Sequence, residues 1–143
     1  MKNIAAIALF LAATFIAAGP APAQEHLVKA TVPFNFTVGD KTLPSGTYMI
    51  RSDPNTPVLL TMRNWDKKVG IASLATSNEN NKTTDNTLVF HKYGDQYFLS
   101  DIRSEGASIH VHYAPTKAEK RAKSQVEEAG LPVSEPVLIA LNR

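Results

Sequence analysis

Between Val28 and Val38, apolar and non-apolar residues alternate without a fault. Val28, Ala30, Val32, Phe34, Phe36 and Val38 take one side; Lys29, Thr31, Pro33, Asn35 and Thr37 take the other. A period of two describes a strand with one buried face and one wet face. Pro33 has no N–H to give to a ladder, so an edge strand or a bulge is predicted there. Leu43-Pro44-Ser45-Gly46 has the residues of a β-turn, Pro fixing φ and Gly supplying positive φ. A short strand follows from Thr47 to Arg51, with Tyr48 and Ile50 on one face. After the breakers of Asp53-Pro54-Asn55-Thr56-Pro57, strands are expected over Val58–Trp65 and Val69–Ala75.

The segment from Thr76 to Thr87 holds no apolar residue and reads as a mobile surface loop. Leu88–Tyr93 and Gln96–Arg103 form a hairpin about Gly94-Asp95. Ala107–Tyr113 makes a further strand, with Ile109, Val111 and Tyr113 on one face and His110 and His112 on the other. The period then changes. Thr116 and Glu119 form a T-x-x-E capping box for a helix over Lys117–Ala129, whose apolar stripe is Ala118, Ala122, Val126 and Ala129. Gly130 suits the left-handed position after the helix and Pro132 blocks its continuation. Val137–Leu141 is a last apolar run, short enough for a strand. The fold class expected is mainly β: an antiparallel β-sandwich or small barrel of about seven to eight strands with one C-terminal α-helix.

The N-terminus follows different rules. Lys2 gives a positive start, Ile4–Ala18 is apolar apart from Thr14, and Ala21-Pro22-Ala23 places small residues before Gln24. This is the pattern of a secretory signal peptide cleaved after Ala23. The apolar run is shorter than the roughly 20 residues of a membrane span. The expected organisation is a signal peptide over 1–23 and one β-rich domain over 24–143. Export would carry the chain through the inner membrane to the periplasm or the medium, with no transmembrane anchor left after cleavage.

Of the 143 residues 43% are hydrophobic, none is cysteine, and the net charge is +2. The absent cysteine excludes disulfides, thiolate zinc sites and thiol nucleophiles, so an exported domain of this size relies on its core and its ladders. The small net charge gives no general attraction to nucleic acid. The sequence has no G-x-S-x-G elbow, H-E-x-x-H, P-loop or G-x-G-x-x-G, and no catalytic residue or cofactor is expected. His110 and His112 are the weak metal candidates, because two imidazoles two apart on a strand share a face. A third ligand would come from His91 or Asp101. An exposed polar strand face is the plainer reading. Lys117, Lys120, Arg121 and Lys123 are candidates for contact with an anionic surface, against a plain solvated helix face with Glu119 beside Lys123 at i,i+4. Trp65, beside Asn64 and Asp66 near a turn, is a candidate for partial exposure and for stacking on a sugar or peptide, against rim packing. Asn35-Phe36-Thr37 and Asn81-Lys82-Thr83 match the glycosylation sequon.

The stretches VPFNFTVGDKTLPSGTY from Val32 and LVFHKYGDQYFLS from Leu88 together resemble a group of small exported β-rich bacterial proteins, common in acidobacteria, that have no assigned function. The resemblance spans Val28 to Lys123. It implies a signal peptide and a β domain, and it implies no catalytic residue. Val137–Leu141 is the part least expected from that group. The leading expectation is a non-enzymatic binding or structural module of the cell envelope, with an envelope protein or polymer as partner. The alternatives are a carrier of small hydrophobic ligands in a barrel cavity and, after it, a hydrolytic enzyme. An apolar cavity lined by aromatics would favour the carrier, and a solid core would count against it.

Overall fold

The computed structural model describes residues 26–78 and 84–142. The signal peptide expected over 1–23, the second sequon and the middle of the Thr76–Thr87 loop lie outside the described residues. Eleven strands and one helix follow in chain order: β1 Leu27–Val32, β2 Phe36–Val38, β3 Lys41–Leu43, β4 Gly46–Ser52, β5 Leu59–Asn64, β6 Val69–Leu74, β7 Thr76–Ser77, β8 Thr87–Tyr93, β9 Gln96–Ser104, β10 Ile109–His112, α1 Lys117–Glu128 and β11 Val137–Ala140. One sheet runs β1-β4-β5-β6 and is antiparallel throughout. The other runs β11-β8-β9-β10-β7, with β2 joined in parallel to β9 at Thr37 and Phe98, and β3 joined to β2. The sheets curl partly into a half-barrel. This is the mainly β class that the alternation predicts, with more and shorter strands.

The long alternating stretch is two strands rather than one. It breaks at Pro33, and the chain crosses there from the first sheet to the second. Lacking an N–H, Pro33 ends the β1–β4 ladder at Val32 and Gly46. Asn35 fixes the crossing, its side-chain oxygen accepting from Ser45 N at 2.9 Å. The alternation nonetheless reports burial on both sides of the break: Val28, Ala30, Val32, Phe36 and Val38 are all buried.

The core lies between the sheets. Val28, Val32, Tyr48, Ile50, Leu60 and Met62 face Phe36, Leu88, Phe90, Leu99, Ile102 and Ile109. Phe36 meets Tyr48 edge to face at 5.2 Å and Phe90 at 5.3 Å, bridging the sheets. Phe34 meets Phe90 at 5.2 Å and stacks on Tyr97 at 3.8 Å. Each such aromatic pair adds about 1 kcal/mol beyond its area burial.

The remaining expectations are revised locally. The polar loop contributes a short strand, since Thr76 and Ser77 pair with His112 and Val111. The final apolar run becomes an edge strand on β8, Leu138 opposite Val89. Beyond it, Lys29 N donates to Asn142 O at 2.7 Å and Asn142 N to Lys29 O at 2.8 Å, so the chain's end joins β11's side of the molecule to β1. Helix α1 starts as predicted, Thr116 accepting from Glu119 N, and ends on Gly130 at φ +69° with Leu131 N bonded to Val126 O. Its buried stripe is Glu119, Ala122 and Val126. Ala118 and Ala129 are exposed. Ala122 and Val126 pack with Tyr93 and Phe98 on the outer side of the second sheet.

Gly46 has φ +149°, and a Cβ built there would stand 2.3 Å from the Asn64 side-chain nitrogen. Asn64 is itself buried and holds the β5–β6 turn by accepting from Lys67 N at 3.1 Å. Gly46→Ala is therefore expected to lower stability by about 2–4 kcal/mol in denaturant unfolding. Measured in an Asn64→Ala background, the cost of Gly46→Ala should be smaller than in the native chain, because the clash is gone while the backbone strain stays.

Burial pushes the phenols of Tyr48, Tyr93 and Tyr113 above the ordinary tyrosine value, and at Tyr93 the Glu119 carboxylate adds to it. A raised pKa favours the neutral phenol in the folded state. The stability it carries is present below the unfolded tyrosine value near pH ~10 and is lost as pH rises through the folded values. Phenolate absorbance and circular dichroism should therefore change together above about pH 10. Full ionisation of all tyrosines with the β signal intact would contradict this.

Candidate functional site

The alternation along β10 puts Ile109 and Val111 in the core and His110 and His112 on the outer face of the second sheet, as predicted. A bulge shapes their surroundings. Val89 pairs with Asp101 but Phe90 with Leu99, leaving Ser100 as the extra residue. Asp101 is buried and well supplied with donors. Ser100 Oγ donates to its Oδ2 at 2.6 Å, and Asn78 Nδ2 to its Oδ1 at 3.2 Å. His112 Nδ1 lies 3.3 Å from the same Oδ1.

His110 faces another carboxylate, its Nε2 3.6 Å from Glu105. The two imidazoles share a face but not a partner. Of the two extra ligands considered, Asp101 meets His112, whereas His91 is taken up elsewhere, 2.8 Å from Glu119 under the helix. Among the described residues no group of three or more His, Cys, Asp or Glu is placed to hold a metal. The hydroxyl of Ser100 donates to the Asp101 carboxylate and not to an imidazole.

Lys117, Lys120, Arg121 and Lys123 are all exposed on α1. The expected Glu119–Lys123 neighbourhood is replaced. Glu119 turns inward to His91 and is 5% exposed, and Lys123 lies 3.9 Å from Glu127 instead. An exposed i,i+4 pair of this kind adds only about 0.3–0.5 kcal/mol. Around these cations, Glu127 and Glu128 offset part of the charge.

The first sheet presents a different surface. Its four strands contain Lys29, Arg51 and Arg63 and no Asp or Glu. Register places all three cations on the outer face: Lys29 aligns with Met49 and Arg63, and Leu27 with Arg51 and Thr61. Trp65 extends this face beyond β5. It is 62% exposed and outside the core, and Arg63 lays its guanidinium over the indole at 4.6 Å from the ring centre. The indole N–H is directed at Met49 Sδ, 3.2 Å away. A groove of about 570 Å³ runs between Leu27, Met49, Arg51, Thr61, Arg63 and Trp65. A second, of about 540 Å³, shares Thr61, Arg63 and Trp65 and extends over Lys68 and Gly70. Sequence reasoning singled out Trp65 but passed over Lys29, Arg51 and Arg63. The available signal was the absence of any acid from four consecutive sheet neighbours.

Zinc added to millimolar concentration should leave the His110 and His112 imidazole resonances without a common shift, since each imidazole has its own carboxylate. A joint, saturable shift of both would reverse that assignment. Comparison with protein-family models, with curated proteins and with solved structures finds no match to this chain.

Proposed function

We propose that the protein is a non-enzymatic binding module of the cell envelope that works through the outer face of its first sheet. The reading includes export by the N-terminal signal, delivery to the periplasm or the medium, and membership of the small exported β-rich bacterial proteins that the Val32 and Leu88 stretches resemble. The observation that carries it is Trp65. A large aromatic side chain left in water, clasped by Arg63 and backed by Met49, has no part in the core. Surfaces built to bind keep such rigid amphipathic anchors exposed.

The other readings have less support. A carrier needs an apolar interior cavity, but Phe36, Tyr48 and Phe90 fill the interior, and the grooves described lie outside it. A hydrolase of the Ser-His-Asp kind needs a hydroxyl bonded to an imidazole, and Ser100 is bonded to a carboxylate instead.

The test is co-sedimentation of the purified protein with envelopes isolated from the source organism. Trp65→Ala is expected to keep its fold, because the side chain lies outside the core, and to lose at least ten-fold in retention. Equal sedimentation of the two proteins would end this reading.

A further inference from the structure

We infer that the outer face of the first sheet takes an acidic polysaccharide, whose sugar rings lie along the sheet with one ring against Trp65 and whose carboxylates meet Lys29 and Arg63. This rests on the binding-module reading and names its ligand class. Charge complementarity is the first argument. All three charged side chains of the four strands are cationic, and all three stand on one face. The net charge of +2 for the whole chain shows no such excess, so the asymmetry is local. Among the described residues no ion pair engages Lys29 or Arg63.

The spacing of the cations is the second argument. Lys29 and Arg63 occupy one cross-strand row with Met49 between them. Neighbouring strands are about 4.8 Å apart, which sets their backbones about 10 Å from each other. That separation matches alternate rings of an extended sugar chain. Arg51 stands two residues along β4 from Met49, in the next row. A guanidinium also takes a carboxylate through two parallel hydrogen bonds, which fixes its orientation as well as its charge.

Trp65 supplies the third. An indole offers a flat apolar face to the C–H side of a pyranose ring, and Arg63, already over the indole, can meet the carboxylate of a ring stacked beside it. Flanking Thr31, Thr47 and Thr61 add hydroxyl groups along the same face. Thr31 and Thr47 already bond each other at 3.0 Å, and a sugar hydroxyl can join such a pair as donor or acceptor.

The chain has a single tryptophan, so its fluorescence reports on this face alone. The purified protein is titrated with oligogalacturonate, with a neutral galacto-oligosaccharide of the same length, and with phosphatidylglycerol vesicles. The expected result is a saturable change in Trp65 emission with oligogalacturonate that weakens several-fold between 20 and 200 mM salt, on the order expected for screening of exposed charges. Lys29→Glu with Arg63→Glu should abolish it while the melting transition is kept, and Lys29→Ala alone should weaken it a few-fold.

If the neutral oligosaccharide binds equally well and the charge reversals do nothing, the acidic assignment falls while the module reading stands. Binding to vesicles alone overturns the polysaccharide in favour of a lipid surface. If no probe moves the emission although Trp65→Ala still loses envelope retention, the ligand class is wrong and the module is not. If retention is also unaffected by Trp65→Ala, both fall.

Discussion

The rings of Tyr48, Phe36 and Phe90 touch edge to face in a line that runs from one sheet to the other. Tyr48 belongs to β4 and Phe90 to β8, and neither sheet alone could cover them. Phe36 reaches the middle because Pro33 stops the first ladder and turns the chain across. Tyr48 is fixed at its far end as well, its hydroxyl donating to Pro44 O at 2.5 Å, so the turn before β4 is tied to the same line of rings. Gly46 then has to pass close to Asn64, which in turn shapes the β5–β6 turn that carries Trp65 outward. The exposed indole is thus held by a chain of contacts that begins in the aromatic core.

Much of this was legible from residue pattern because period and capping are local. The alternation marked the buried faces of β1, β2, β4 and β10, Gly94-Asp95 marked the hairpin, and Thr116 marked the helix start. What escaped was decided by partners distant in sequence. Pro33 announces a break, but nothing near it says that the next strand joins another sheet. Glu119 looks like a surface residue until His91, 28 positions away, comes to lie beside it. Thr76 and Ser77 are polar and still become a strand, because β10 offers them an edge. The cationic face escaped for a related reason. Lys29, Arg51 and Arg63 are far apart in the chain and become a row only through the register of β1, β4 and β5.

The two outer surfaces solve opposite problems. On the second sheet the helix covers Tyr93 and Phe98, and Ser100, Asn78 and His112 converge on Asp101, so this buried carboxylate is paired within the fold. Buried polar groups that lack such partners lose about 1–3 kcal/mol each, which explains why so many donors converge on Asp101. On the first sheet, among the described residues, no ion pair engages Lys29 or Arg63, and a bound anion would meet both at the surface.

The bonds between Lys29 and Asn142 have a bearing on when the protein can become itself. They join the first strand of the described chain to a residue beyond its last strand, a contact between positions far apart in the sequence. Closing so long a loop is entropically demanding and comes late in folding. While β11 and Asn142 are still on the ribosome, or still on the near side of a membrane, β1 has an unsealed edge. A chain synthesised from its N-terminus therefore keeps this edge of β1 open until Asn142 has emerged, and translocation, where it occurs, meets a polypeptide that has not yet locked.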